Sequence, residues 1–263
     1  MRVYVSADIE GVTGIAHWDE ADKAHPDYAW FRERMHREVA AACEGALAAG
    51  ATAITVKDAH GSGRNLHPDR FPRPVSLIRG WSGHPYGMVQ ELDDRYDAVC
   101  FVGYHAPATS GGHPLSHTLT GKFARIELDG ERLSELRLNA TTARVHGVPT
   151  AFVSGDAGLC DEARALLPGA VVVPSGRGVG HSTVARHPDD VLDEIRAGVR
   201  EGLARAERVA PPEGPFALEV RFRVHHDAYR ASHYPGAEAV ADDRVRLVAP
   251  TWDGVLRALL FWK

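Results

Sequence analysis

Cysteine is scarce, with three in 263 residues, and so small and odd a number excludes a disulfide framework. Cys43, Cys100 and Cys160 lie far apart in apolar helix-like or strand-like settings, so buried free thiols are expected and a catalytic cysteine is disfavoured. No uncharged apolar run is long enough to span a bilayer. Nor is there an excess of basic charge: 30 Lys and Arg are intermixed with 35 Asp and Glu, for a formal net charge of -5. That balance offers neither a basic stripe for nucleic acid nor a polybasic patch for a membrane, which leaves a small molecule or a peptide as the expected partner. Met1 leads straight into a strand pattern without a charged and apolar leader, so the expected location is the cytoplasm.

What the chain does have is alternation of strand and helix patterns. Val3 to Ala7 reads as a strand, Tyr28 to Ala49 as a helix closed by Gly50, Ala53 to Val56 as a second strand, "YGMVQELDD" as a helix, and Ala98 to Gly103 as a third strand. Short, nearly all-apolar strands separated by helices predict a mostly parallel sheet covered on both faces, an α/β fold. From Lys122 the pattern "FARIELDGERLSELRLNA" alternates around Asp129-Gly130, which predicts an antiparallel hairpin inserted into, or extending the edge of, that sheet. Alternation returns with "PTAFVSGD", "AVVVP" and the amphipathic helix of "PDDVLDEIRAGVREGLARAERV". The stretch Ala210 to Pro215 reads as a linker between a catalytic region, 1–210, and a small α+β segment, 216–263, either separate or packed into the same domain, that ends in a helix near Trp252 to Trp262.

Each of the first three strands ends in metal-capable side chains: Asp8 and Glu10 in "SADIEG", Asp58 and His60 in "KDAHG", and His105 in "GYHA". Residues two apart share a face of an extended chain, so Asp8 and Glu10 form a like-charged pair that needs a cation. The carboxyl ends of parallel strands lie along one sheet edge, where open α/β folds bind ligands, and there these distant residues converge. Carboxylates mixed with imidazoles suit zinc or a similar divalent ion rather than calcium. The set exceeds the three protein ligands of a single catalytic metal and contains a carboxylate able to bridge, which points to two ions and to hydrolysis.

Other features read differently. Asp58 reads first as the cap of a following turn or helix, or as a group that orients His60, and only second as a metal ligand. His225-His226 ends a strand in the C-terminal segment and is not counted as a metal site, and "GRGVGH", Gly176 to His181, lacks a phosphate-loop ending and reads as a turn.

With these positions in view, "SADIEG", "KDAHG", "GYHA", "LSHT" and "GERLSELRLNA", in that order, make the chain resemble the D-aminopeptidase family of binuclear zinc metallopeptidases, whose members are linked to dipeptide-transport operons. The resemblance spans nearly the whole chain. It implies that Asp8, Glu10, His60, His105 and Glu135 ligate two zinc ions, with Asp8 as the bridge. Glu135 comes only from this resemblance, and its place in the hairpin segment requires that segment to fold over the sheet edge. His117 matches the family's catalytic histidine, as proton donor, base or nucleophile. Asn65 and Asn139 match shared positions, as substrate contacts or structural hydrogen-bonding groups. A large ring of subunits, a homodecamer, is implied as well. The Gly/Pro-rich loop 106–115 is expected to border the site.

The function expected on these grounds is zinc-dependent removal of the N-terminal residue from short peptides of D-configuration. Two alternatives share the residues: a binuclear-metal amidase or phosphoesterase acting on another small substrate, and a metal-containing dipeptide-binding protein.

Overall fold

Seven strands form the main sheet of the computed structural model, which describes residues 1–263. In chain order they are β1 (Arg2–Ala7), β2 (Ala53–Asp58), β3 (Val75–Ile78), β4 (Ala98–Tyr104), β7 (Thr150–Asp156), β8 (Val171–Val179) and β9 (Ser182–Ala185). Their spatial order is β3-β2-β1-β4-β7-β8-β9, parallel throughout except for the β8–β9 hairpin. The reversal of direction at β1, flanked by β2 and β4, places three successive strand ends side by side, which is where open sheets of this kind form a crevice.

Helices α1 (Tyr28–Ala48) and α4 (Pro188–Ala204) cover one face; α2 (Glu135–Val145) and α3 (Ala157–Leu166) cover the other. The side-chain alternation of the strands serves both layers. Val3, Val5, Cys100 and Val102 join the α1 and α4 core, whereas Tyr4, Val99 and Phe101 join that of α2 and α3. All three cysteines are buried and free, and burial pushes the Cys43 and Cys160 thiols up to about 12.

A second, antiparallel sheet runs β11-β12-β10-β5-β6, from β5 (Phe123–Leu128), β6 (Glu131–Arg132), β10 (Phe216–Phe222), β11 (Ala237–Ala241) and β12 (Arg244–Ala249). Its buried face, including Ile126, Leu218, Val220 and Val245, packs with α5 (His225–Ser232) and α6 (Trp252–Trp262) in a core of its own. The segment after the Ala210–Pro215 connection therefore shares a sheet with residues 123–132.

Four details depart from the sequence reading. The second arm of the expected hairpin is only β6, two residues long; Ser134 then caps α2 by accepting from the Arg137 amide, and "ELRLNATTARV" is helical. Leu136, Ala140 and Ala143 repeat at helical spacing on the buried side, so the same letters satisfied both periods and the serine cap settles the outcome. The hairpin pairs with β10, not with the edge of the main sheet. "YGMVQELDD" holds only one 3-10 turn, Gly87–Val89, bracketed by positive φ at Gly87 and Glu91. His225 and His226 begin α5 rather than end a strand.

Candidate metal centre

The site starts from two close backbone contacts. Beyond β1, the Asp8 amide donates to the Val102 carbonyl at 2.9 Å and the Gly11 amide to the Gly103 carbonyl at 2.8 Å, fastening the "DIEG" turn to β4. A Cβ on Gly11 would stand 1.7 Å from the Tyr104 carbonyl oxygen, so only glycine permits this approach. Ile9 points into the core while Asp8 and Glu10 face the crevice, all three buried.

His105 follows β4 with a fully buried side chain. Its Nδ1 lies 3.0 Å from the Ala106 carbonyl, to which it donates as Nδ1–H, leaving the Nε2 lone pair aimed at the carboxylates. That Nε2 has no hydrogen-bond partner. It stands 3.5 Å from Asp8 Oδ2 and 3.6 Å from Glu135 Oε2. Zinc bonds of about 2.0–2.2 Å in tetrahedral array separate ligand atoms by roughly 3.4 Å, so these gaps are too long for good hydrogen bonds and suit donors around one ion.

Glu135 opens α2, and its Oε1 accepts from the Leu119 amide at 2.7 Å, which turns Oε2 toward His105. His60 places Nδ1 2.9 Å from Glu10 Oε2 and 3.5 Å from Asp8 Oδ1, while Nε2 meets the Ala21 carbonyl at 2.8 Å. With Nε2–H given to that carbonyl, Nδ1 presents its lone pair to two carboxylates, an arrangement that a cation satisfies. His117 repeats the logic. Its Nδ1 bonds the Leu115 carbonyl at 2.9 Å, and Nε2 looks toward Glu135 at 3.7 Å and Glu10 at 3.9 Å. The ring stacks on His105 with centroids 4.3 Å apart, and Trp18 stands edge-on to it at 5.0 Å.

Two sets of potential ligands result, Asp8, Glu10 and His105, and His105, His117 and Glu135, each with its donor atoms within 4.8 Å of one another. Electrostatics shows the same need. Burial and the charge of Glu10 raise Asp8 well above the carboxylate range. Burial also works to raise Glu10, but the charge of His60 outweighs it and Glu10 ends well below. Burial opposes a charged His105, yet Glu135 and Asp8 bring it up to about 10. His117 is lowered by burial and by His105. Carboxylates this close and this dry call for positive charge, which protons on the imidazoles supply without an ion and divalent metal supplies with one.

The remaining predicted residues divide. Asp58 accepts from the Asn65 and Leu66 amides and from Asn65 Nδ2, at 2.6, 2.7 and 2.7 Å, so it braces the loop carrying His60. Asn65 is committed to that brace, donating also to the His60 carbonyl at 2.8 Å and accepting from Tyr28 at 2.6 Å, and it does not line the metal cavity. Asn139 does line it, beside Tyr104 and Met88. The loop 106–115 contributes nothing to that cavity; Pro107, Ser110 and Gly112 border a separate hollow with Arg137 and Glu162. The cavity measures about 520 Å³, and its walls include residues that no motif or spacing groups together: Trp18, Trp81, Tyr86, Lys122, Leu256 and Lys263.

Residues 1–261 match the family model described as D-aminopeptidase. The chain belongs to the D-aminopeptidase family. It is 28% identical over 242 residues to the D-aminopeptidase of Bacillus subtilis (strain 168), covering 90% of this chain and 87% of that relative. Among solved structures, the Zn-dependent D-aminopeptidase DppA from Bacillus subtilis, described as a self-compartmentalizing protease, superposes with a TM-score of 0.91 at 26% identity, covering 100% of this chain and 96% of that one. Family membership agrees with the likeness carried by the ordered motifs, and the shared fold extends through the second sheet.

Proposed function

We propose that this protein is a zinc-dependent aminopeptidase cleaving the N-terminal bond of short peptides built from D-amino acids, with two zinc ions held by Asp8, Glu10, His60, His105 and Glu135. The observation that carries the reading is the orphaned, buried His105 Nε2, 3.5 and 3.6 Å from carboxylate oxygens of Asp8 and Glu135. The similarity to a Zn-dependent D-aminopeptidase supports both metal and substrate. Bound there, zinc supplies a polarising charge for the peptide carbonyl and brings the pKa of water near neutrality. Asp8 turns one oxygen toward His60 and the other toward His105, each at 3.5 Å, so it is the residue that would be shared between two ions. His117, its Nδ1 fixed by the Leu115 carbonyl, keeps Nε2 free to receive a proton and pass it to the leaving amine. Trp18 limits how far that ring can swing.

Residues 1–210 hold every proposed ligand, and 216–263 supply a wall of the cavity. A homodecameric ring is part of the proposal, supported by the self-compartmentalizing relative. No helix is long and apolar enough to cross a membrane, and the proposed location is the cytoplasm.

The direct test is hydrolysis of D-Ala-D-Ala against L-Ala-L-Ala by zinc-loaded protein, before and after a chelator, with metal counted in parallel. D-selective, chelator-sensitive cleavage with two metals per chain is expected. His117→Ala should lower kcat by roughly 10²- to 10⁴-fold while zinc content is kept. Loss of zinc along with activity would make His117 a ligand instead.

A further inference from the structure

The cavity lined by the candidate metal ligands is uneven in charge. Its floor carries Asp8, Glu10 and Glu135, whereas the lysines among its lining residues are Lys122, just before β5, and Lys263, just after α6. These two come from the second sheet and its covering helix. Neither side chain forms an ion pair or hydrogen bond within the protein: the β5 and α6 ion pairs nearest in sequence are Arg125–Glu127 and Arg257–Asp253. The Glu135 carboxylate, the acid whose charge Lys263 feels, is engaged with His105, His117 and the Leu119 amide. Leu256, Leu259 and Leu260 of α6 line the same cavity and give it an apolar wall beside Lys263.

An unblocked short peptide has the complementary pattern. Its amine and scissile carbonyl belong at the acidic, metal-binding floor, and its terminal carboxylate then needs cations at the other end. We propose that Lys122 and Lys263 form a subsite for the substrate's C-terminal carboxylate, so that the substrate class is short peptides with a free carboxyl end and not their amides or esters. This rests on the aminopeptidase reading above for what occupies the floor. Two ammonium groups on flexible stems can follow a carboxylate whose position shifts with peptide length, which a rigid guanidinium fork does less readily. A cavity of about 520 Å³ bounds that length to a few residues.

The test compares D-Ala-D-Ala with D-Ala-D-alaninamide on zinc-loaded enzyme, in wild type, Lys122→Met, Lys263→Met and the double variant. Both lysines are exposed at the cavity mouth, so folding should survive their replacement. A charge-assisted hydrogen bond corresponds to roughly tenfold or more in binding, so the acid-to-amide ratio of kcat/KM should fall about tenfold per lysine, through KM for the acid. Lys122→Arg and Lys263→Arg should keep most of the preference, which a loss of packing alone would not allow. A second readout is independent of turnover: calorimetric binding of a phosphinic dipeptide analogue as free acid and as methyl ester. Wild type should favour the acid, and the double variant should bind the two alike. Equal use of acid and amide by wild type, or equal binding of acid and ester, overturns the subsite. Absence of cleavage with a lysine-dependent preference for the acid analogue would uphold the subsite and reject the aminopeptidase reading.

Discussion

Glu38 sits within α1 at 1% exposure, with one carboxylate oxygen accepting from the Thr13 amide at 2.8 Å and the other unpartnered. Burial raises its pKa from 4.5 to about 7, against the opposing pull of Thr13. The unfolded chain therefore releases this proton near pH 4.5 while the folded chain keeps it to about pH 7, so Glu38 makes stability fall as pH rises through that window. Glu38→Gln preserves an acceptor for Thr13 and removes the titration. Thermal or urea unfolding at pH 5 and pH 8 should show little change at the lower pH and a gain of roughly 3 kcal/mol at the higher; a gain equal at both would disprove the assignment. Other single residues differ in how far sequence revealed them. Asp8, Glu10, His60 and His105 were legible because each ends a strand of one parallel sheet, and strand ends share an edge. Glu135 was not, because it reaches the site from the start of a helix on a connection whose length sets no position. Lys122 and Lys263 lay beyond inference, since a lysine beside a strand or helix end is ordinarily solvated.

At the scale of elements, the contact between the "DIEG" turn and β4 is the most demanding in the site. Gly103, at φ +71, passes close to the Asp8 carbonyl, and Gly11 fits against Tyr104 with no room for a methyl group. Gly11→Ala should force the turn off β4, destabilising the protein by roughly 1–3 kcal/mol. It should also weaken zinc binding, as read by competition with a chelating dye; wild-type zinc affinity would mean the turn does not set the ligand geometry. The central elements, β1, α1, β2, β4, α4 and α6, were readable because long or uniformly apolar segments have one period only. The region 131–145 misled because alternating leucines fit a strand as well as a helix, and a single hydroxyl at Ser134 tips the balance. Edge strand β3, four partly exposed residues after a proline, carries too little apolar pattern to announce itself.

For the whole molecule, the proposed ring predicts a native mass many times the 28.5 kDa of one chain, measurable by light scattering on the eluting protein. A monomer mass at working concentration would remove the ring from the proposal. Large apolar side chains lie open on this chain, among them Trp30 at 78% and Phe261 at 68% exposure, and an assembly would be expected to cover some of them.

The interleaving of the two sheets also imposes an order on biosynthesis. The ribosome has made Asp8, Glu10, His60 and His105 by residue 105, yet β5, paired early only with the two-residue β6, waits for its long neighbour β10, which begins at Phe216. A nascent chain thus carries most of its acidic and imidazole groups for the greater part of translation without the wall that α6 later provides. During that interval a peptide has no α6 wall to be held against. On the reading proposed above, cleavage of a held peptide therefore waits for α6, long after the strand-end residues have been made.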